Sequence, residues 1–199
     1  MFSRRQFINL TIFAVSFVST NKNAWGQEAS SPLVTAARKQ IGVTTIYDGA
    51  YVKIPFPNGD VNRERGVCTD VIIRAYRDSL GYDLQKNVNA DMKTHFALYP
   101  KNWGLKQPDS NIDHRRVPNL QTFFRLKNAE LSKSTPLKQL KPGDLVTIML
   151  PRNLPHIVIV SDKKTTNSRP YVIHNVGRGT QEEDFLGQYP ITGIYRFKP

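Results

Sequence analysis

The chain has 199 residues, 39% of them apolar and 22% charged, which fits one domain with its own core and excludes both wholesale disorder and a multi-span membrane protein. Lysine and arginine number 28 against 16 acids, a net charge of +12; so basic a chain suits an anionic partner such as nucleic acid, a membrane surface or an acidic polymer. A single cysteine excludes an internal disulfide and a cysteine-rich zinc site.

Arg4 and Arg5 precede an apolar run over residues 7–18. That run is shorter than the ~20 residues a membrane-spanning helix needs. Ala24-Trp25-Gly26 offers small residues where a signal peptidase inspects the chain. Ser3-Arg4-Arg5-Gln6-Phe7-Ile8 is similar to a twin-arginine signal. Residues 1–26 are therefore expected to be an export signal, with 27–199 a single domain, periplasmic or secreted, and no integral membrane segment after cleavage. The signal removes Arg4, Arg5 and Lys22 and no acid, lowering the net charge from +12 to +9. Export disfavours nucleic acid as partner and favours cell-wall polymer or anionic lipid.

Ser31 as cap, Pro32 at the first position and Leu33, Ala36, Ala37 and Ile41 at helical spacing predict a helix over 32–41, stopped by Gly42. Residues 43–66 read as an ordered loop with room for a short strand. Val67, Val71, Ile72 and Ala75 predict a helix over 67–80, ended by Gly81. Leu84, Val88, Met92 and Phe96 predict another over 84–98, and a short helix is expected over 118–127. The period then changes. After the turn Lys141-Pro142-Gly143-Asp144, strands are expected at 145–150, 156–160, 171–176 and 191–197, with a polar connection over 163–169. Helices come first and an antiparallel sheet second, an α+β order.

Cys68 opens the 67–80 helix, where free backbone N–H groups and the dipole favour a thiolate. A thiolate nucleophile needs an imidazole as base and then as acid. His156 and His174 fall on neighbouring expected strands, where two side chains lie side by side. An imidazolium there would hold the thiol below its ordinary ~8.5. His95 reads as a solvated helix residue. His114, in the charged stretch 113–116, is expected to line the cleft and to serve structure more than turnover.

Gly66-Val67-Cys68-Thr69-Asp70, Lys141-Pro142-Gly143-Asp144-Leu145-Val146, His156-Ile157-Val158-Ile159-Val160 and Val172-Ile173-His174-Asn175 resemble, in that order, the markers of the NlpC-type cell-wall cysteine peptidases. Tyr99-Pro100, Trp103-Gly104-Leu105 and the string from Asn111-Ile112-Asp113-His114 through Arg115-Arg116-Val117-Pro118-Asn119-Leu120 resemble more closely a branch, the domain-of-unknown-function 1287 family. The resemblance covers about 36–197. It implies a papain-like fold with Cys68 as nucleophile, His156 as general base and His174 as the residue orienting it, with Asn175 as alternative. It also suggests Tyr47, or Tyr51, at the oxyanion, and makes Asp70, Asn175 and His114 candidates for oxyanion or substrate contacts. Two departures stand out. Val67 and Thr69 flank the cysteine where the superfamily usually has Asp and Ser. Cys68 and His156 lie 88 positions apart, around a helical insertion at about 81–135.

The expected function is an exported thiol hydrolase cleaving amide bonds, most directly in peptidoglycan stem peptides. The same site could instead pass its acyl group to an amine, and the scaffold could serve as a non-catalytic wall-binding protein. The resemblance implies no metal and no organic cofactor, a peptide or peptidoglycan substrate, and a monomer.

Overall fold

The computed structural model describes residues 31–199; the expected export signal lies outside them. The architecture is α+β: four helices lie over an antiparallel sheet. Helix α1 (Pro32–Arg38) has Pro32 in its first turn, where a missing N–H costs nothing. It stops at Arg38, short of the expected 41, because residues 39–43 tighten into turns that include Gly42 at φ +78°. Helix α2 (Cys68–Leu80) ends at Gly81 in the left-handed region, φ +62°. Helices α3 (Leu84–His95) and α4 (Val117–Leu126) follow; α3 runs into a 3-10 turn at Phe96–Leu98.

Two short strands, β1 (Ile46–Tyr47) and β2 (Arg65–Gly66), pair in parallel beside the start of α2. The main sheet has six strands: β3 (Glu130–Leu131), β4 (Leu145–Leu150), β5 (Leu154–Lys164), β6 (Pro170–Asn175), β7 (Thr180–Glu183) and β8 (Ile191–Tyr195). Their spatial order is β3-β8-β4-β5-β6-β7, each neighbouring pair antiparallel.

Both faces of this sheet are buried, which is why β4, β5 and β6 read as runs of Val and Ile rather than as alternating patterns. Leu145, Ile157, Ile159 and Ile173 belong to the cluster under the helices. Val146, Val158, Val160 and Val172 belong to a second cluster, which Phe185 and Leu186 help to close. Each such fully buried Val or Ile stabilises the fold by ~1.5–3 kcal/mol.

Helix α2 is the pivot. Residues 68–76 are all buried, including Arg74. The Arg74 guanidinium pairs with Asp60 at 2.9 Å and donates to the carbonyls of Val61 and Arg65 and to the Thr44 hydroxyl. A buried cation is tolerated because its donors are taken. The loop 43–66 is thereby tied to the helix that carries Cys68. No helix among the described residues is long and apolar enough to cross a membrane.

Candidate functional site

Cys68 is the first residue of α2. Its N-cap, Val67, has no side chain that could bind a free N–H. Asp70 takes over part of that task, accepting the Val67 N–H at 2.7 Å. The Asp70 carboxylate also receives a bidentate pair from Arg115, both bonds 2.9 Å, with the two side chains only 3% and 4% exposed. Thr69 donates its hydroxyl to the Arg115 carbonyl. The first turn of α2 is thus locked to the 3-10 turn Asp113–Arg115. Asp70, a candidate substrate contact from its sequence position, is spent on this locking.

The sulfur is buried, and burial pushes the thiol up to about 11. The backbone N–H groups of Ile157, Thr69 and Cys68 itself work against that shift, and the Asp70 charge adds to it. This reverses the expected depressed thiol. Desolvation outweighs the helix terminus, and no imidazolium stands by, because His156 is pushed down to about 3, again chiefly by burial. The resting pair is a neutral thiol and a neutral imidazole.

His156 on β5 and His174 on β6 do lie side by side. His156 Nε2 is 2.8 Å from His174 Nδ1, and both rings are buried. His174 Nε2 is 3.0 Å from a Glu183 carboxylate oxygen on β7, whose other oxygen receives Arg178 at 2.7 Å. Burial lowers His174, and Glu183 pulls the other way. The line fixes the protons. A carboxylate only accepts, so His174 carries its proton on Nε2 and accepts at Nδ1. His156 then donates from Nε2, and its Nδ1 is left with a lone pair for a base. Asn175, the alternative orienter, instead donates to the Gly66 carbonyl at 3.0 Å.

Strand alternation places these groups relative to the helix. Ile157 and Ile173 face α2, with Cys68 in the same cluster. His156 follows Val158, and His174 follows Val172, toward the second cluster, where the Phe185 ring sits 4.4 Å from that of His174. The thiol therefore meets β5 from the helix side, at the Ile157 N–H, one residue beyond His156.

Cys68 opens into a cleft of about 420 Å³, walled by Tyr47, Tyr51, Trp103, Arg116 and Pro155. Tyr47 stands against Cys68 and Asp70, and burial raises its phenol to about 12. The Tyr51 hydroxyl is already engaged, donating to Asp109 and accepting from Asn111, each at 3.0 Å. His114 does not line the cleft. It is buried behind it, its Nδ1 without a partner and its pKa pushed down to about 3 by desolvation. His95 is half-exposed and bonds Asp91. A larger cavity, about 500 Å³, lies where α1 begins and the chain ends, away from Cys68.

Sequence reasoning missed Glu183 and the extent of the wall. Glu183 sits in a polar stretch without apolar alternation; only the β6–β7 register, His174 opposite Gln181 and Val172 opposite Glu183, brings it to the pair.

The family described as "Domain of unknown function (DUF1287)" matches residues 34–197. "Uncharacterized protein YijF" of Escherichia coli (strain K12) is 50% identical over 165 residues, covering 83% of this chain and 80% of that protein.

Proposed function

Within the DUF1287 family, to which this chain belongs, we propose an exported thiol hydrolase of papain-like, NlpC-type architecture that cleaves amide bonds of peptidoglycan stem peptides. One observation carries the reading: a cysteine at a buried helix start lies against β5 one residue from the first histidine of a His–His–Glu line. In the proposed reaction His156 Nδ1 takes the Cys68 proton as sulfur bonds to the carbonyl carbon. The C–N bond then breaks, and the imidazolium gives that proton to the leaving amine. Water then hydrolyses the thioester. The N–H groups of Cys68 and Thr69 are the proposed oxyanion donors, with Tyr47 beside them. The scheme requires the His156 ring, which lies toward the second cluster and outside the cleft lining, to reach the Cys68 sulfur.

A second reading has its own support. A protonated, buried thiol and an imidazole pair packed toward Phe185 also suit a non-catalytic wall-binding protein on the same scaffold. One experiment decides between them: mass spectrometry of purified wall fragments after incubation with residues 27–199 and with the Cys68→Ala variant. New fragments made only by the unsubstituted protein support the hydrolase. Unchanged fragments, with protein co-sedimenting with the wall, favour the binder. Products carrying a new amide would mark acyl transfer.

A further inference from the structure

The wall of the cleft has a feature that the proposed chemistry does not use. The Arg116 guanidinium lies over the Trp103 ring, 4.0 Å from its centroid. Its Nη1 donates to Asp113 at 3.0 Å. That bond takes one of five N–H donors, and the side chain is still 16% exposed. Asp113, buried and also receiving the Asp109 N–H, is Arg116's own partner; the other nearby acids are committed elsewhere, Asp70 to Arg115 and Asp109 to Tyr51 and Asn111. The residues that face the cleft are aromatic, apolar or cationic, and none is a carboxylate.

Such an arrangement selects by chemistry. A guanidinium held over an indole and by one carboxylate is partly fixed in advance, which lowers the entropy lost on gripping a planar, two-oxygen anion. The exposed faces of Trp103, Tyr51 and Tyr47 offer apolar walls to the carbon skeleton of a peptide. We propose that this cleft binds a peptide through a free carboxylate gripped by Arg116 on its Trp103 platform. The inference deepens the hydrolase reading by naming what the substrate must carry near the scissile amide, and it rests on that reading only for the bond that is cut.

The chain has two tryptophans, Trp25 and Trp103. Residues 27–199 therefore report on the cleft through Trp103 alone. The test uses this protein with Cys68→Ala, so that binding is read without turnover. Trp103 fluorescence is titrated with N-acetyl-alanyl-glutamate, with the same compound carrying both carboxyls as amides, and with inorganic phosphate. The free acid is expected to bind at least tenfold more tightly than the diamide, a difference of about 1.4 kcal/mol, and phosphate is expected to compete poorly. Arg116→Gln should bring the acid down to the diamide while leaving the diamide unchanged. Arg116→Lys, which keeps charge but loses the fork, should weaken the acid several-fold; it decides the matter should Arg116→Gln not fold by circular dichroism. Equal binding of acid and diamide, no binding of either, indifference to both Arg116 variants, or phosphate competing as well as the peptide acid would each overturn the proposal. A failure of wall cleavage, by contrast, would strike the hydrolase reading and leave these affinities standing.

Discussion

Glu183 holds His174 at 3.0 Å, and that contact decides which nitrogen of His156 carries the proton. With Glu183 in place the proton sits on His156 Nε2 and Nδ1 is bare. Glu183→Ala removes the acceptor and lets both rings change tautomer. Nitrogen NMR of labelled protein should show a pyrrole-type Nε2 and a pyridine-type Nδ1 on His156, and a mixture in Glu183→Ala. Turnover of wall fragments by the variant should fall roughly tenfold or more, mainly in kcat, the scale of a misdirected base. Glu183→Gln, which still offers an oxygen, should recover part of the loss. Unchanged ring-nitrogen signals in Glu183→Ala would remove Glu183 from the line.

The thiol makes a second prediction. With burial holding Cys68 at about 11, only on the order of 10⁻⁴ of it is thiolate at pH 7. Alkylation by iodoacetamide should be slow at neutral pH and rise about tenfold per pH unit toward pH 10. A rate already at its plateau near pH 6 would mean that an imidazolium reaches the sulfur in solution.

Arg115 and Asp70 form a buried bidentate pair. Removing one partner strands the other charge away from water. Arg115→Met should destabilise the protein by about 3–5 kcal/mol in urea unfolding. The double variant Asp70→Asn/Arg115→Met should recover part of that loss, though not all, since Asp70 also caps Val67.

Three histidines are held neutral by burial: His114 and His156 near 3, and His174 below its usual value. Their folded pKa values lie below the unfolded ~6.5, so the unfolded chain binds protons first as pH falls. The stability they leave intact is full above about pH 6.5 and is lost progressively as pH drops toward 3. Each contributes a slope of up to ~1.4 kcal/mol per pH unit in that window. The melting temperature should therefore fall from pH 7 to pH 4, and His114→Leu should make the fall shallower. An unchanged slope in that variant would show that His114 already finds a proton acceptor in the native state.

What was legible in the sequence follows from what each signal depends on. Helix α2 and the strand at His156 were visible because burial on one side or both writes a periodicity into the chain, and Gly81 sits where a left-handed residue is needed. The β5 strand proved longer, Leu154–Lys164, because its polar end pairs through backbone groups that leave no apolar mark. The neighbourhood of His156 and His174 was readable from adjacent strands. The His174–Glu183 contact was not, since it depends on the register of β7, a strand of polar residues. The raised thiol was missed for a different reason. A helix start and a nearby histidine both argue for a thiolate, but how much water reaches the sulfur is a property of the packed molecule.

Two buried arginines meet at α2: Arg74, on the helix, holds the 60–65 loop, and Arg115, on the 3-10 turn ahead of α4, grips Asp70 of the helix. They act as struts fixed to the same post. The wall bearing Tyr47 and the wall bearing Arg116 are both referenced to the helix that carries Cys68, and Arg115 also clips them together through the Asp48 and Ala50 carbonyls. A change of length in the loop after α3 would therefore move Trp103 in the cleft wall while leaving Tyr47, Arg116 and Cys68 in register with one another.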